Sequence, residues 1–176
     1  MPLRQIHCVK SSRLAFIVLA ALWVAFAAYV WQTTAQLPER VATHFDAAGA
    51  PNGWMTRAGH MRFTLIFGTL APAFVVGVFT LIRALGGRGM NIPNRDYWLA
   101  PERQQATVDS VQRHGLWLAS LMVAFIAGIH GSILRANAHT PATLPLGDVG
   151  WIAGGFGAAV LVWAVLLVVR FACRPA

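Results

Sequence analysis

An all-α polytopic membrane protein of four transmembrane helices is the fold class this sequence predicts, on three observations. Hydrophobic residues make up 57% of the chain and charged residues only 11%, against about 25% charged in soluble domains. Four apolar runs, Leu14 to Ala35, Phe63 to Leu85, Gly115 to Leu134 and Val149 to Val169, each reach the roughly 20 residues that carry a helix across about 30 Å of hydrocarbon. The basic residues gather at the ends of those runs, as membrane orientation requires. The 176 residues therefore read as one integral membrane domain, with spans at about 14–35, 63–85, 115–134 and 149–169, a loop at 36–62 and a connection at 86–114.

The basic residues also predict orientation. Arg4, Lys10 and Arg13, then Arg83, Arg88, Arg95, Arg103 and Arg113, then Arg170 and Arg174 fall on one side, ten in all, against Arg40, Arg57, Arg62 and Arg135 on the other. That bias places both termini in the cytoplasm of a bacterial inner membrane and the loop 36–62 outside. A net charge of +8 so dispersed argues against nucleic acid as a partner. Cys8 and Cys173 both fall on the reducing side and imply no disulfide framework. The first apolar run exceeds the 7–15 residues of a signal-peptide core and ends in Tyr29 and Trp31, which suit an interfacial belt, so it reads as a retained span.

Leu37-Pro38 ends the first helix, because proline lacks a donor and clashes with the preceding turn. Val41 to Asp46 follows as a short strand, with Val41, Thr43 and Phe45 on one face and Ala42, His44 and Asp46 on the other. Gly49 and Pro51-Asn52-Gly53 predict two successive turns. Trp54 suits headgroup level, and Thr56 caps the second helix. His44, Phe45, Asp46, Gly49, Pro51, Asn52 and Trp54 are thus the residues expected to shape a ligand- or partner-binding loop.

Pro72, flanked by Gly68 and Gly77, predicts a kink or close contact in the second span. The cytoplasmic connection opens on the glycine cluster Gly86-Gly87-Arg88-Gly89, read as a hinge. It continues through Asn91, Pro93, Asn94, Tyr97 and Trp98, the last two read as interfacial anchors. Pro101 at the first helical position and Glu102 against the helix dipole then start an amphipathic helix, 102–114, that leads into the third span. Arg95, Asp96, Glu102, Arg103 and Asp109 form a mixed-sign group that reads as a solvated face. Gly128 on the third helix, and Gly150, Gly154 and Gly157 on the fourth, with Gly155 beside them, are spaced for close helix packing.

His44, His60, His130 and His139 cluster toward the predicted outer side with Glu39, Asp46 and Asp148. Imidazoles and carboxylates together suit zinc, and His44, Asp46 and His130 are the candidate ligands. Spacing imposes no metal motif, so neither a metal nor another cofactor is expected. His44 and His60 read more simply as loop-ordering and headgroup-level residues, and His130, five residues before Arg135, as reaching the interface. No nucleophile elbow, phosphate loop or zinc-protease motif occurs, and no enzyme is expected.

Leu37-Pro38, Val41, His44-Phe45-Asp46, Gly49, Pro51-Asn52 and Trp54 together resemble the membrane domain of unknown function 1648, also found in the SdpI-like immunity proteins of bacteria. Asn91, Pro93-Asn94, Asp96 to Leu99 and Pro101-Glu102-Arg103 resemble the second connection of its short, four-span members. The resemblance implies an integral membrane protein. In the SdpI-like proteins it implies protection of the producing cell from a secreted toxin and capture of a transcriptional repressor at the membrane. Those longer proteins have additional spans, and the family supplies no catalytic residues. The function expected is therefore binding or signalling through the loop 37–54, toward a ligand or a membrane or secreted protein or peptide, with homo-oligomers left open. An accessory subunit of a larger membrane complex is the alternative, and a proton- or metal-coupled transporter ranks below it.

Overall fold

In a computed structural model of the chain, the backbone is described for residues 3–173 and the side chains from residue 12 to residue 173. Arg4, Cys8, Lys10 and Arg174, used above for orientation and redox state, lie outside the described side chains. The elements are α1 (Leu3–Thr34), β1 (Arg40–Phe45), β2 (Pro51–Thr56), α2 (Arg57–Ala84), α3 (Arg95–Trp98), α4 (Pro101–Asn137) and α5 (Leu146–Ala172). The expected four spans fall in α1, α2, α4 and α5, each long and apolar enough to cross a membrane. The chain is a membrane protein.

Element boundaries sharpen the sequence reading at three places. The second helix starts at Arg57, where Thr56 Oγ1 accepts the Gly59 N–H at 3.0 Å, the expected N-cap. The amphipathic segment and third span form one uninterrupted helix of 37 residues starting at Pro101. The loop 36–62 holds a two-stranded antiparallel sheet where one strand and two turns were expected. Pro51-Asn52-Gly53 is strand, not turn: the chain already reverses at Asp46–Ala50. There Asp46 Oδ1 accepts the Ala48 and Ala50 N–H groups, both at 2.9 Å, and Gly49 takes φ 81°. Pro51, with no N–H to give a ladder, fits the first position of a strand.

By contacts the chain divides into two compact units, Leu22–Ala71 with Met122–Gly157, and Met1–Ala21 with Pro72–Leu121 and Ala158–Ala176. The division in α2 falls at the buried Pro72.

In the first unit the hairpin is held by chemistry from α4. Leu37, Val41 and Ile133 form a buried cluster flanked by Phe45 and Leu134. Beside it Asn137 Nδ2 donates to Ala42 O and Asn137 Oδ1 accepts the Ala42 N–H, both at 2.9 Å, so one side-chain amide completes the outer edge of β1. The Leu144 N–H donates to Gly49 O at 3.0 Å, pinning the hairpin tip. Gly68 lies under the Phe26 ring, where a Cβ would collide, and its carbonyl accepts Trp23 Nε1–H at 3.2 Å. Gly128 faces Ile152, and Phe125 stacks on Phe156 at 4.4 Å.

In the second unit Gly115 makes room for Phe79, which meets Trp163 edge-on, and Trp163 Nε1 donates to His114 O at 2.8 Å. The glycine cluster, read from sequence as a hinge, ends α2. The Gly87 N–H reaches back to Ile82 O at 2.9 Å, the 6→1 bond of a Schellman-type end, with Gly86 and Gly87 at positive φ. Asn94, itself at φ 54°, donates to Phe171 O and Ala172 O, and Trp98 Nε1 donates to Phe171 O at 2.9 Å. These bonds satisfy carbonyls that the end of α5 would leave bare.

The expected packing glycines split. Gly68 and Gly128 pack as described, whereas Gly77, Gly150, Gly154, Gly155 and Gly157 have open space where a Cβ would stand. Small-residue spacing permits close approach but does not say which face meets a neighbour. On α5 no residue of the apolar window is buried, against half of that window on α4.

Candidate functional site

The site lies in the first unit, where α1, α2 and α4 meet the hairpin. Thr33 Oγ1 stands 2.7 Å from Tyr29 O, one turn back, a separation at which two oxygens repel unless a proton lies between them, so its single proton goes to that carbonyl. At 2.9 Å from His130 Nε2 the Thr33 oxygen must therefore be the acceptor, so Nε2 carries the hydrogen. With both imidazoles neutral the next contact is fixed as well: His130 Nδ1 accepts from His60 Nε2–H at 3.1 Å, because a neutral ring has one donor and one acceptor. The two rings stack at 5.3 Å, and Tyr29 meets His130 edge-on. The result is a directed chain, His60 to His130 to Thr33 to the Tyr29 carbonyl. It ends in the lone pair of His60 Nδ1, which has no hydrogen-bond donor among the described residues.

Both histidines are buried against neighbouring helices. His130 is 1% exposed, because the Thr33 and His60 bonds let an imidazole sit inside the helix packing without an unsatisfied group. His60 faces the same way. Its position on the first turns of α2 turns it inward onto His130, and it is 5% exposed.

A cavity of about 330 Å³ adjoins the chain. His60, Thr64 and His130 line it together with Thr43, His44 and Met55 of the hairpin, and the rest of its wall is apolar, including Phe63, Phe67, Ile129 and Ile133. His44 is exposed, with Nδ1 3.1 Å from Thr43 Oγ1. Its Cβ lies where a side chain on residue 53 would begin, which is the spatial reason for Gly53. The register slips around Thr43, with His44 paired to Gly53 and Ala42 to Trp54, and such a bulge re-aims strand side chains.

The other loop residues divide between scaffold and surface. Phe45 packs against the hairpin cluster, Asp46 is spent on the turn, Gly49 is buried, and Pro51 pairs with Phe45. Asn52 is exposed, and Trp54 is 45% exposed with the Arg40 guanidinium 4.7 Å from its ring centre. The candidate metal ligands do not converge: among the described residues no three His, Cys, Asp or Glu side chains stand close enough to hold an ion.

The connection residues divide in the same way. Asn91, Pro93 and Glu102 are exposed, Arg103 Nε donates to Tyr97 O with its guanidinium over the Tyr97 ring, and Tyr97 and Trp98 pack edge to face. Asp109 pairs with Arg83. Thr33, Asn137 and Leu144 escaped the sequence reading, and His60 was noticed without its bond to His130, since each acts through a partner distant in the chain. The one available signal was Asn137 in the last turn of an apolar helix, where a polar amide is out of character.

This architecture defines a class: a four-helix membrane protein whose first loop is an ordered hairpin beside a histidine-lined cavity. Residues 16–68, which run from within α1 through the hairpin to the start of α2, match the family described as a domain of unknown function, DUF1648. No curated protein and no solved structure matches the chain.

Proposed function

We propose that this is a non-enzymatic binding or signalling protein of the bacterial inner membrane, with cytoplasmic termini, that recognises a partner outside the membrane through its hairpin. The observation that carries the reading is the contrast within the hairpin itself. Its backbone is fixed by Asn137 and Leu144, while Asn52, His44 and Trp54 remain exposed. A rigid backbone presenting an exposed aromatic lowers the ordering cost of binding, and tryptophan is a favoured interface anchor. The excess of arginine and lysine at the opposite helix ends supports the orientation. An immunity-like role, in which the partner is a secreted peptide or protein, fits this reading.

The test is crosslinked capture from native membranes with wild-type protein, Trp54→Ala and His44→Ala. The reading expects a hairpin-dependent partner that both variants lose while remaining folded. Unchanged capture in both would overturn it.

The open glycine face of α5, Gly150, Gly154, Gly155 and Gly157, favours a second reading, an accessory subunit packing that face into a larger complex. Mild extraction separates the two, because an accessory subunit leaves the membrane with stoichiometric partners.

A further inference from the structure

We propose that the cavity lined by His60 and His130 binds a small uncharged amphiphile, an apolar body of one or two rings or a short alkyl chain bearing a single O–H or N–H donor. This rests on the reading of the hairpin unit as a binding device and specifies a ligand for it. The volume, about 330 Å³, is roughly twice that of the 150 Å³ apolar cavity known to take up benzene, and falls at the small end of ligand pockets. With no Asp, Glu, Lys or Arg on its wall, the cavity would not compensate a charge.

Among the polar groups on the wall the Thr43 and Thr64 hydroxyls can turn to donate or accept, whereas His60 Nδ1 can only accept, and that fixed role selects the ligand. Thr33 has one proton, and Tyr29 O takes it. The direction of both following bonds is thereby set, and the chain terminates in an acceptor at His60 Nδ1. A ligand with a donor completes the chain; one without leaves that lone pair facing an apolar group. Phe63 and Phe67, stacked at 5.7 Å and 55% and 49% exposed, form an apolar flank through which a membrane-dissolved molecule reaches the site.

The experiment is equilibrium binding of 2-naphthol and 2-methoxynaphthalene to the full-length protein in detergent micelles, with empty micelles as the reference for partitioning. The two probes share the ring system and differ in the donor. The proposal expects saturable one-site binding of 2-naphthol and a preference of about fivefold over the methyl ether, the worth of one net hydrogen bond. His60→Leu should abolish the preference while retaining binding of the ether. Ile129→Trp, which fills the cavity without touching the hydrogen-bond chain, should abolish binding of both and keeps the test open if His60→Leu fails to fold. Unsaturable uptake equal to that of empty micelles, or equal affinity for the two probes, as an acyl-chain cavity would give, overturns the proposal. If naphthol fails to bind while the hairpin still captures its partner, the ligand assignment falls and the recognition role stands. Selective naphthol binding without any hairpin-dependent partner supports the cavity and overturns the recognition role.

Discussion

The two long connections of this protein are built from similar residues and use them in opposite ways. Both contain glycine, proline and asparagine, both carry a tryptophan, and in each case one asparagine makes the tie. In the first, Asn137 reaches from α4 to bond both backbone groups of Ala42, and the tryptophan of the hairpin, Trp54, stays 45% exposed. In the second, Asn94 bonds carbonyls at the end of α5, and Trp98 is spent on the same helix end through its indole N–H and an edge-on contact with Phe171. One connection is held from outside and keeps its distinctive side chains available; the other holds something else and consumes them. Motif-like residues therefore signal recognition only where the fold has not already employed them.

Breaking the first clamp should have the largest effect. Asn137→Ala leaves the Ala42 N–H and C=O, on a residue only 1% exposed, without partners. At about 1–3 kcal/mol for each buried unsatisfied group, the expected loss is about 3 kcal/mol, seen as a lowered thermal midpoint in detergent and faster proteolysis within residues 40–56. A loss no greater than that of an exposed control would mean that the hairpin does not depend on α4.

Asn94→Ala should cost less, about 1–2 kcal/mol, because helix-end carbonyls have other ways to be satisfied and part of the loss is the left-handed conformation that alanine disfavours. Asn94→Gly separates the two causes, since glycine restores the backbone freedom but not the amide. The smallest change belongs to Trp54→Ala, whose contact with Arg40 is worth about 0.5 kcal/mol at an exposed site. Its midpoint should barely move even where partner capture is lost. A large destabilisation by Trp54→Ala would make that residue scaffold and erase the contrast between the connections.

Much of the fold was legible from sequence because its signals are local. Twenty apolar residues need a span, Thr56 can cap only the helix that follows it, and Pro101 opens a helix for the reason it cannot interrupt one. The strand beginning near Val41 was legible from alternation, but its partner was not. Pro51-Asn52-Gly53 carries turn chemistry, and only Asp46, by taking two N–H groups, moves the reversal upstream. The site was least legible. His44 and His130 stood out by type, yet what makes His130 tolerable inside the bundle is Thr33, 97 positions away, and a hydroxyl at the end of a span attracts no notice. Glycine spacing likewise could not distinguish Gly68, which sits under Phe26, from Gly154, which faces nothing.

The bond from Leu144 to Gly49 has a practical consequence for anyone labelling this protein. Exposed hairpin tips are ordinarily the first choice for an epitope, a fluorophore or a topology reporter. Here the tip is a fastening point, its glycine buried and its carbonyl engaged by a second loop, so an insertion between residues 46 and 50 would detach both loops and report on a damaged molecule. Position 52, exposed on β2 and outside that fastening, offers the gentler attachment as a single cysteine.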